Sequence, residues 1–122
     1  MRFVRDESSG IHLIRGYEPG EIRIDEGSLR EAVILTATAL SVDASLRSIA
    51  DLGEAQIGRV LQLAPEVVLL GSGVRQVFPP AAFGARFLAA GIGFEVMDTA
   101  AACRTFNVLV SERRNVAAVL IL

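Results

Sequence analysis

The sequence predicts a single three-layer α/β domain with a mixed β-sheet, in which an N-terminal β-hairpin region precedes a β-α-β-α-β unit. Three observations predict it. An early segment alternates apolar and charged residues, later apolar runs lack alternation, and helix-forming stripes separate those runs. The length of 122 residues is that of one domain. We therefore assign residues 1–122 to a single domain, with residues 1–10 as a candidate flexible N-terminus.

The first predicted unit is a hairpin of two strands, Ile11–Tyr17 and Glu21–Asp25. Pro19 presets φ at the second position of the connecting turn, and Gly20 accepts positive φ at the third. Apolar and charged residues alternate along the second strand, so we expect one buried face and one solvated face.

The next segment contains a turn at Glu26–Ser28 and a short apolar run, Ala32–Thr36, that fits a buried strand. The following stretch is ambiguous in its pattern. A strand near Leu46–Ile49 is the expectation for it.

A first helix is expected to begin near Asp51, because Glu54 follows three residues later as in a capping box. Gly58 weakens this helix, and Pro65 ends it. Its apolar stripe has helical spacing and consists of Ile57, Val60, Leu61 and Ala64.

The remaining chain alternates buried strands with helices. The predicted elements are the strand Glu66–Leu70, a helix opened by Pro79-Pro80 and ended at Gly91, the strand Gly93–Met97, a helix capped by Asp98 or Thr99 and running to about Ser111, and the strand Val116–Leu122. A strand–helix–strand succession predicts parallel strands with right-handed crossovers. The loops after Leu70 and Met97 then leave the sheet at the same edge, where ligands of α/β proteins bind.

Composition excludes several functional classes. Hydrophobic residues make up 52% of the chain and the mean hydropathy is +0.47, yet no apolar run approaches the ~20 residues that span a bilayer. We therefore expect buried strands or a surface covered by a partner, and no membrane insertion. The net charge is −2 and every basic residue is Arg, without the clustered basic face that nucleic-acid binding needs.

The single Cys and single His exclude an intrachain disulfide framework and a Cys/His-rich zinc site. No residue pattern calls for a cofactor. The N-terminus lacks an apolar signal core, so a cytoplasmic location is the default expectation.

A candidate ligand site lies where two strands end. Glycines after the first strand could bring backbone N–H groups to an anion, with an arginine adding charge. An arginine and an asparagine, which lie one turn apart near the start of the last helix, could hold a carboxylate or phosphate. The candidate residues are Gly71, Ser72, Gly73, Arg75, Thr99, Arg104 and Asn107. The alternative for the glycines is a tight strand exit. The alternatives for the arginine and the asparagine are a solvated helix face or a role in tying loops together.

Three further residues have a structural and a chemical interpretation. Cys103 could be a nucleophile, but no base is placed beside it, and a small buried residue is the better interpretation. His12 is expected to be structural or at the surface. Asp98, which precedes Thr99, is a more natural N-cap than a catalytic acid.

Two stretches, LGSGVRQ at residues 70–76 and VMDTAAACRTFN at residues 96–107, resemble the signatures of a family of small single-domain α/β proteins of unknown function. Its relatives include the mitochondrial respiratory complex I assembly factor numbered three and an adipogenesis-associated single-domain protein. The likeness spans Ile11 to Leu122. It implies a compact three-layer domain with a mixed sheet, and bacterial members without an assigned enzymatic activity. Many members have Tyr at the position of Phe106 and a basic residue at that of Val74.

These observations favour a non-catalytic protein-interaction or assembly-assisting module. The partner would be another protein or, in a homodimer, a second copy of the chain. The alternative is a protein, and in one version an enzyme, that binds a small anion or metabolite at the 71–73 loop and the start of the last helix. Nucleic acid is not expected as a partner.

Overall fold

The computed structural model describes residues 11–122. The expectation of a flexible segment at 1–10 lies outside these residues. The described part contains eight strands, three α-helices and one short 3₁₀ helix. In chain order they are β1 Ile14–Glu18, β2 Glu21–Ile24, β3 Gly27–Leu29, β4 Ala32–Leu35, β5 Leu40–Asp43, the 3₁₀ helix Ile49–Asp51, α1 Glu54–Leu63, β6 Val67–Gly71, α2 Ala81–Ala89, β7 Gly93–Met97, α3 Thr99–Ser111 and β8 Val116–Leu120.

A five-stranded mixed sheet forms the middle layer, in the order β5-β4-β8-β6-β7. Strand β6 pairs in parallel with β7 and with β8, as the crossover rule predicts. Strand β4 runs antiparallel to both β8 and β5. The predicted three-layer α/β fold with a mixed sheet is therefore confirmed.

One face of this sheet is covered by α3 together with a small antiparallel sheet of β1, β2 and β3. Ile22 and Ile24 point from β2 into this core, as the alternation in the sequence predicts, and Phe106 enters it from α3. Burying a side chain of this size contributes roughly 1.5–3 kcal/mol.

The opposite face is covered by α1 and α2. Phe83 and Phe87 stand one helical turn apart on α2 and meet Phe94 of β7, with ring centroids 5.3 to 5.8 Å apart. Such edge-to-face and stacked pairs add to the burial energy of the rings. Strand β6, buried on both faces, lacks alternation for this reason.

One predicted turn and one predicted strand were wrong. Gly27 and Ser28, expected in a turn, belong to β3, which pairs with β2 after a turn in which Asp25 adopts φ 54°. The segment Leu46–Ile49 is not a strand. Ser48 caps a 3₁₀ helix there, and Asp51 accepts hydrogen bonds from the backbone N–H groups of residues 47 and 48.

The predicted start of α1 was also wrong by two residues. Asp51 serves the 3₁₀ helix, so Gly53 is the N-cap of α1. The buried Gln56 closes this helix start, because its Oε1 accepts the backbone N–H of Gly53 at 2.8 Å. Its Nε2 donates to Asp43 of β5 at 2.9 Å. One buried amide therefore ties the start of α1 to the edge of the sheet.

Candidate functional site

The loop that follows β6 is fixed by the side chain of Ser72. The hydroxyl Oγ donates to the carbonyl of Arg75 at 2.6 Å and accepts the N–H of Val77 at 2.9 Å. The backbone N–H of Ser72 donates to the carbonyl of Met97, also at 2.9 Å. Ser72 is buried, and its hydroxyl and its backbone N–H both have protein partners.

The two glycines permit α3 to begin against the end of β6. Thr99 is fully buried, and its hydroxyl accepts the N–H of Gly73 at 2.8 Å and donates to the carbonyl of Ile121 at 2.6 Å. A Cβ on Gly71 would lie 2.9 Å from the Thr99 hydroxyl, and Gly73 has φ +107°. The backbone N–H groups of Ser72 and Gly73 are both already hydrogen-bonded, so an anion at this loop would have to displace these bonds. This geometry supports the tight strand exit.

Arg104 and Asn107 do not line the groove beside the 71–73 loop. They share a face of α3, as the sequence predicts, but that face meets β1. With a rise of 1.5 Å per residue they stand about 8 Å and about 12 Å along the helix from Thr99. The structure thus brings Thr99 to the loop and separates the other two from it. The exposed Arg75 lies on the loop itself.

Asn107 has a structural partner. Its Oδ1 accepts the N–H of Ile14 at 3.0 Å, and its Nδ2 donates to the carbonyl of Ile14 at 2.7 Å. The side-chain amide thus bonds one residue of β1 as a neighbouring strand would. This contact holds α3 against the small sheet.

A groove of about 200 Å³ lies between β1 and α3. Among residues 11–122, its lining includes two arginines and no Asp or Glu; the lining residues are Ile14, Arg15, Gly16, Tyr17, Ala100, Cys103, Arg104 and Asn107. The Arg23 guanidinium occupies the position where a side chain on Gly16 would stand. Two arginines therefore line this groove, which we call the β1–α3 groove, and Arg23 lies against its residue Gly16. Sequence reasoning found only Arg104, because Arg15 reaches the groove through the packing of β1 against α3, and Arg23 reaches Gly16 through the pairing of β1 with β2.

The thiol of Cys103 lies at the bottom of this groove. Burial raises the pKa of Cys103 to about 12, although the nearby charge of Arg104 opposes the change. The thiol is therefore protonated at neutral pH and is a poor nucleophile. The only histidine, His12, bonds Asp25 through Nδ1 at 2.6 Å. These contacts favour the core interpretation of Cys103.

Asp98 caps α3, since its side chain accepts the N–H of Ala101 at 2.8 Å. Within residues 11–122, no group of three or more His, Cys, Asp and Glu side chains is arranged to hold a metal ion. None of the described helices has the length and apolar character to cross a membrane.

The structure has an exposed apolar loop after β6 that was not predicted from the sequence. Val74, Val77 and Phe78 have 67%, 46% and 68% of their surface exposed. Val74 and Val77 line a groove of about 410 Å³ whose other wall includes residues of the 3₁₀ helix and Leu122. The sequence contained a sign of this surface, because these three apolar residues fall in a segment that was predicted to be a loop. Residues 74–78 are called the 74–78 loop below.

The chain is similar to several known proteins in sequence and in fold. A structure of a Xanthomonas campestris protein, solved by NMR, is 36% identical, with a TM-score of 0.83 over 99% of this chain and 92% of that one. The crystal structure of an outer membrane protein from Bartonella henselae is 32% identical, with a TM-score of 0.82 over 92% and 95% of the two chains. A Francisella tularensis protein named "13 kDa major membrane protein" is 30% identical over 89% of each chain.

Residues 14–121 match the model of a family described as "Protein of unknown function (DUF498/DUF598)". The match includes every strand and helix of the described structure. The chain therefore belongs to the DUF498/DUF598 family of small α/β proteins of unknown function.

Proposed function

We propose that this chain is a non-catalytic protein-interaction module that binds a partner through the 74–78 loop. One observation carries the proposal: Phe78 and Val74 each expose about two thirds of their surface on a loop with a fixed backbone. Large exposed apolar side chains in a group are typical of interaction sites, and aromatic residues dominate binding energy.

The rigidity of the loop supports binding. The Ser72 hydroxyl closes the loop, and the Gln76 side chain anchors it by donating to the Val96 carbonyl of β7 at 2.9 Å. Pro79 and Pro80 restrict the exit towards α2. A loop that is ordered before binding loses little conformational entropy when it binds.

The surroundings of the loop indicate the chemistry of the partner. Arg75 is the only charged residue of the loop, and Arg47 lines the adjacent groove. The groove itself offers Ile49, Ile121 and Leu122 to an apolar side chain. We expect a partner segment that combines apolar residues with a carboxylate, because opposite charges guide and orient association.

The names of two relatives bear on where the partner is found. The Francisella and Bartonella proteins are named as membrane and outer membrane proteins. The proposal therefore includes a protein of a membrane-bound complex as the partner of a chain in the cytoplasm. The resemblance to a mitochondrial assembly factor extends the proposal to assistance in building such a complex.

The test compares capture of partners from native extracts on wild-type protein and on Phe78→Ala. Leu88→Ala is the matched control, because Leu88 exposes 62% of its surface on α2, outside the loop. A protein recovered by the wild type and the control is then purified. Its affinity for Phe78→Ala should fall at least tenfold, the usual loss for an aromatic residue at the centre of an interface.

A vesicle arm separates protein from lipid as the occupant of the loop. Vesicles of neutral and anionic lipids are mixed with the purified wild type and sedimented. Binding to vesicles that is lost in Phe78→Ala, without any protein that depends on Phe78, would replace a protein partner by a lipid surface. Equal capture of the same partners by the wild type, Phe78→Ala and Leu88→Ala would contradict the proposal.

The second candidate function is the binding of a small carboxylate or phosphate in the β1–α3 groove. The observation that favours it is the presence of Arg15 and Arg104 in the groove lining, with Arg23 against Gly16 and no lining Asp or Glu among residues 11–122. Planar guanidinium groups bind such anions in bidentate fashion. In this form the site keeps Arg104 of the sequence prediction, with Asn107 in the lining but bonded to Ile14, and does not need the 71–73 loop.

Inorganic phosphate and citrate are suitable probes in a thermal-shift titration at constant ionic strength. A ligand that binds only the folded protein raises its melting temperature with concentration. The rise should disappear in Arg104→Gln and remain in Arg113→Gln, a change at an exposed position after α3. No rise with either probe, or the same rise in both variants, would argue against the anion site.

A further inference from the structure

The β5 strand is an open edge of the five-stranded sheet. At the turn before it, Thr36 N–H donates to the carbonyl of Ala39 at 2.8 Å. Hydrogen-bonded pairs alternate along an antiparallel ladder from this point, so Ser41 and Asp43 bond to β4. The backbone N–H and C=O groups of Leu40 and Val42 therefore point away from the sheet.

The outward residues of β5, Leu40 and Val42, carry neither a charge nor a proline ring, and within residues 11–122 no strand pairs with β5 on the side away from β4. Leu40 and Val42 have 38% and 47% of their surface exposed, and both project on the face of the sheet opposite α1. Native edge strands normally carry Lys, Pro, a bulge or a covering loop that prevents pairing. The open edge Leu40–Val42 has no charge and no proline.

Charge on the other face of β5 is arranged in complementary halves. Arg59 of α1 donates to the Ser41 hydroxyl at 2.8 and 3.0 Å and pairs with no carboxylate within residues 11–122. Asp43 stands two residues further on the same face, and within residues 11–122 it accepts hydrogen bonds only from Ser45, Leu46 and Gln56. Each chain thus presents one cation and one anion along the edge.

We propose that a second copy of this chain pairs with β5, with the two β5 strands antiparallel and a two-fold axis at Val42. Val42 of each copy then exchanges backbone hydrogen bonds with Val42 of the other. In this register Ser41 stands opposite Asp43 of the second copy. The Arg59 guanidinium on Ser41 therefore meets the second copy's Asp43, and the same ion pair forms twice.

The register follows from charge. A two-fold axis one residue earlier, at Ser41, would place the two Arg59 side chains against each other. Opposite charges across paired strands stabilise a sheet, whereas like charges directly opposite destabilise it. A two-fold interface must be self-complementary, and the Val42 register meets this condition.

The test exchanges the charges in two separate proteins, Asp43→Arg and Arg59→Asp. Each variant alone presents like charges to its own copy and should behave as a monomer. An equimolar mixture restores both ion pairs and should elute at twice the 13.0 kDa mass of the chain, as wild type does. A mixture that remains monomeric while wild type is dimeric would overturn the ion pairs, and a monomeric wild type would overturn the interface.

A second variant keeps the result independent of folding. Asp43 also serves Gln56, so its substitution carries a risk to the fold. Val42→Lys changes only an exposed side chain and should shift the dissociation constant of the dimer at least tenfold. Val108→Lys, at an exposed position of α3, is the matched control and should leave it unchanged. Equal dissociation constants for both variants would contradict the proposed axis.

Discussion

Thr99 joins three parts of the chain through one buried hydroxyl group. It bonds Gly73 of the loop after β6 and the carbonyl of Ile121 near the chain end, while its own residue begins α3. Each of these backbone groups lies away from water and needs a partner. The hydroxyl is thus fully used by the fold.

Replacing Thr99 by Val should destabilise the protein by about 2 to 4 kcal/mol. The isosteric change leaves a buried donor and a buried acceptor without partners, each of which costs about 1–3 kcal/mol. Chemical denaturation monitored by circular dichroism measures the loss. Thr99→Ser keeps the hydroxyl and should lose less, so an equal loss in both variants would contradict the leading role of the hydroxyl.

Cys103 should make stability sensitive to alkaline pH. Burial raises its pKa in the folded protein to about 12, from an ordinary value of 9.0 in the unfolded chain. The unfolded state therefore releases its proton first, and the contribution of the protonated thiol, complete below pH 9, is lost as the pH rises towards 12. Between these values the free energy of unfolding should fall more steeply in wild type than in Cys103→Ala. Parallel curves would contradict this assignment.

Some residue roles could be predicted from the sequence and others could not. Asp98 before Thr99 is a local capping pattern, and the structure has the predicted cap. Asn107 and Ser72 bond backbone groups distant in sequence or folded back within a loop, and no spacing rule reveals such partners. The sequence alone left open whether Ser72 and Asn107 serve a ligand or tie segments together, and in the structure both side chains bond backbone groups.

At the scale of elements, long elements with a strong pattern were predicted well. The buried strand β6 and the helix α3 lie within a residue or two of their expected ranges. The three-residue strand β3 was missed, because it exists only through pairing with β2. The apolar residues at Leu46 and Ile49 resembled a strand, although Leu46 is buried beneath a 3₁₀ turn.

The start of α1 depends on Gln56 more than on any other side chain. Its buried amide bonds both the Gly53 N–H and Asp43 of β5. Gln56→Ala should lower the free energy of unfolding by about 1–3 kcal/mol, since two buried or half-buried groups lose their partner. Urea denaturation measures this change, with the exposed Gln62→Ala of the same helix as control. A loss no larger than that of the control would remove Gln56 from this role.

At the scale of the whole molecule, the two proposed contact surfaces are different parts of the fold. The 74–78 loop follows the inner strand β6 and is bonded to β7, whereas β5 is an edge strand. A dimer through β5 would therefore carry two 74–78 loops. Binding of both loops to one large complex would increase the overall affinity without any new contact.

The fold class and layer order followed from the sequence, whereas the contact surfaces did not. Hydrophobic periodicity reports which side of a strand is buried, so it predicts layers. It does not report whether a loop residue such as Phe78 folds inwards, nor that β5 is an edge strand. The β1–α3 groove likewise depends on the pairing of β1 with β2, which brings Arg23 to Gly16.

The central claim is that the 74–78 loop binds a protein, and photo-crosslinking at residue 78 tests it most directly. A photoreactive phenylalanine analogue replaces Phe78 in cells that naturally make the chain, and a second strain carries it at Leu88. We predict one discrete protein adduct at residue 78, absent at residue 88, and the loss of that adduct when Arg75→Glu is added. An absence of any protein adduct at residue 78, or the same adducts at both positions, would contradict the account.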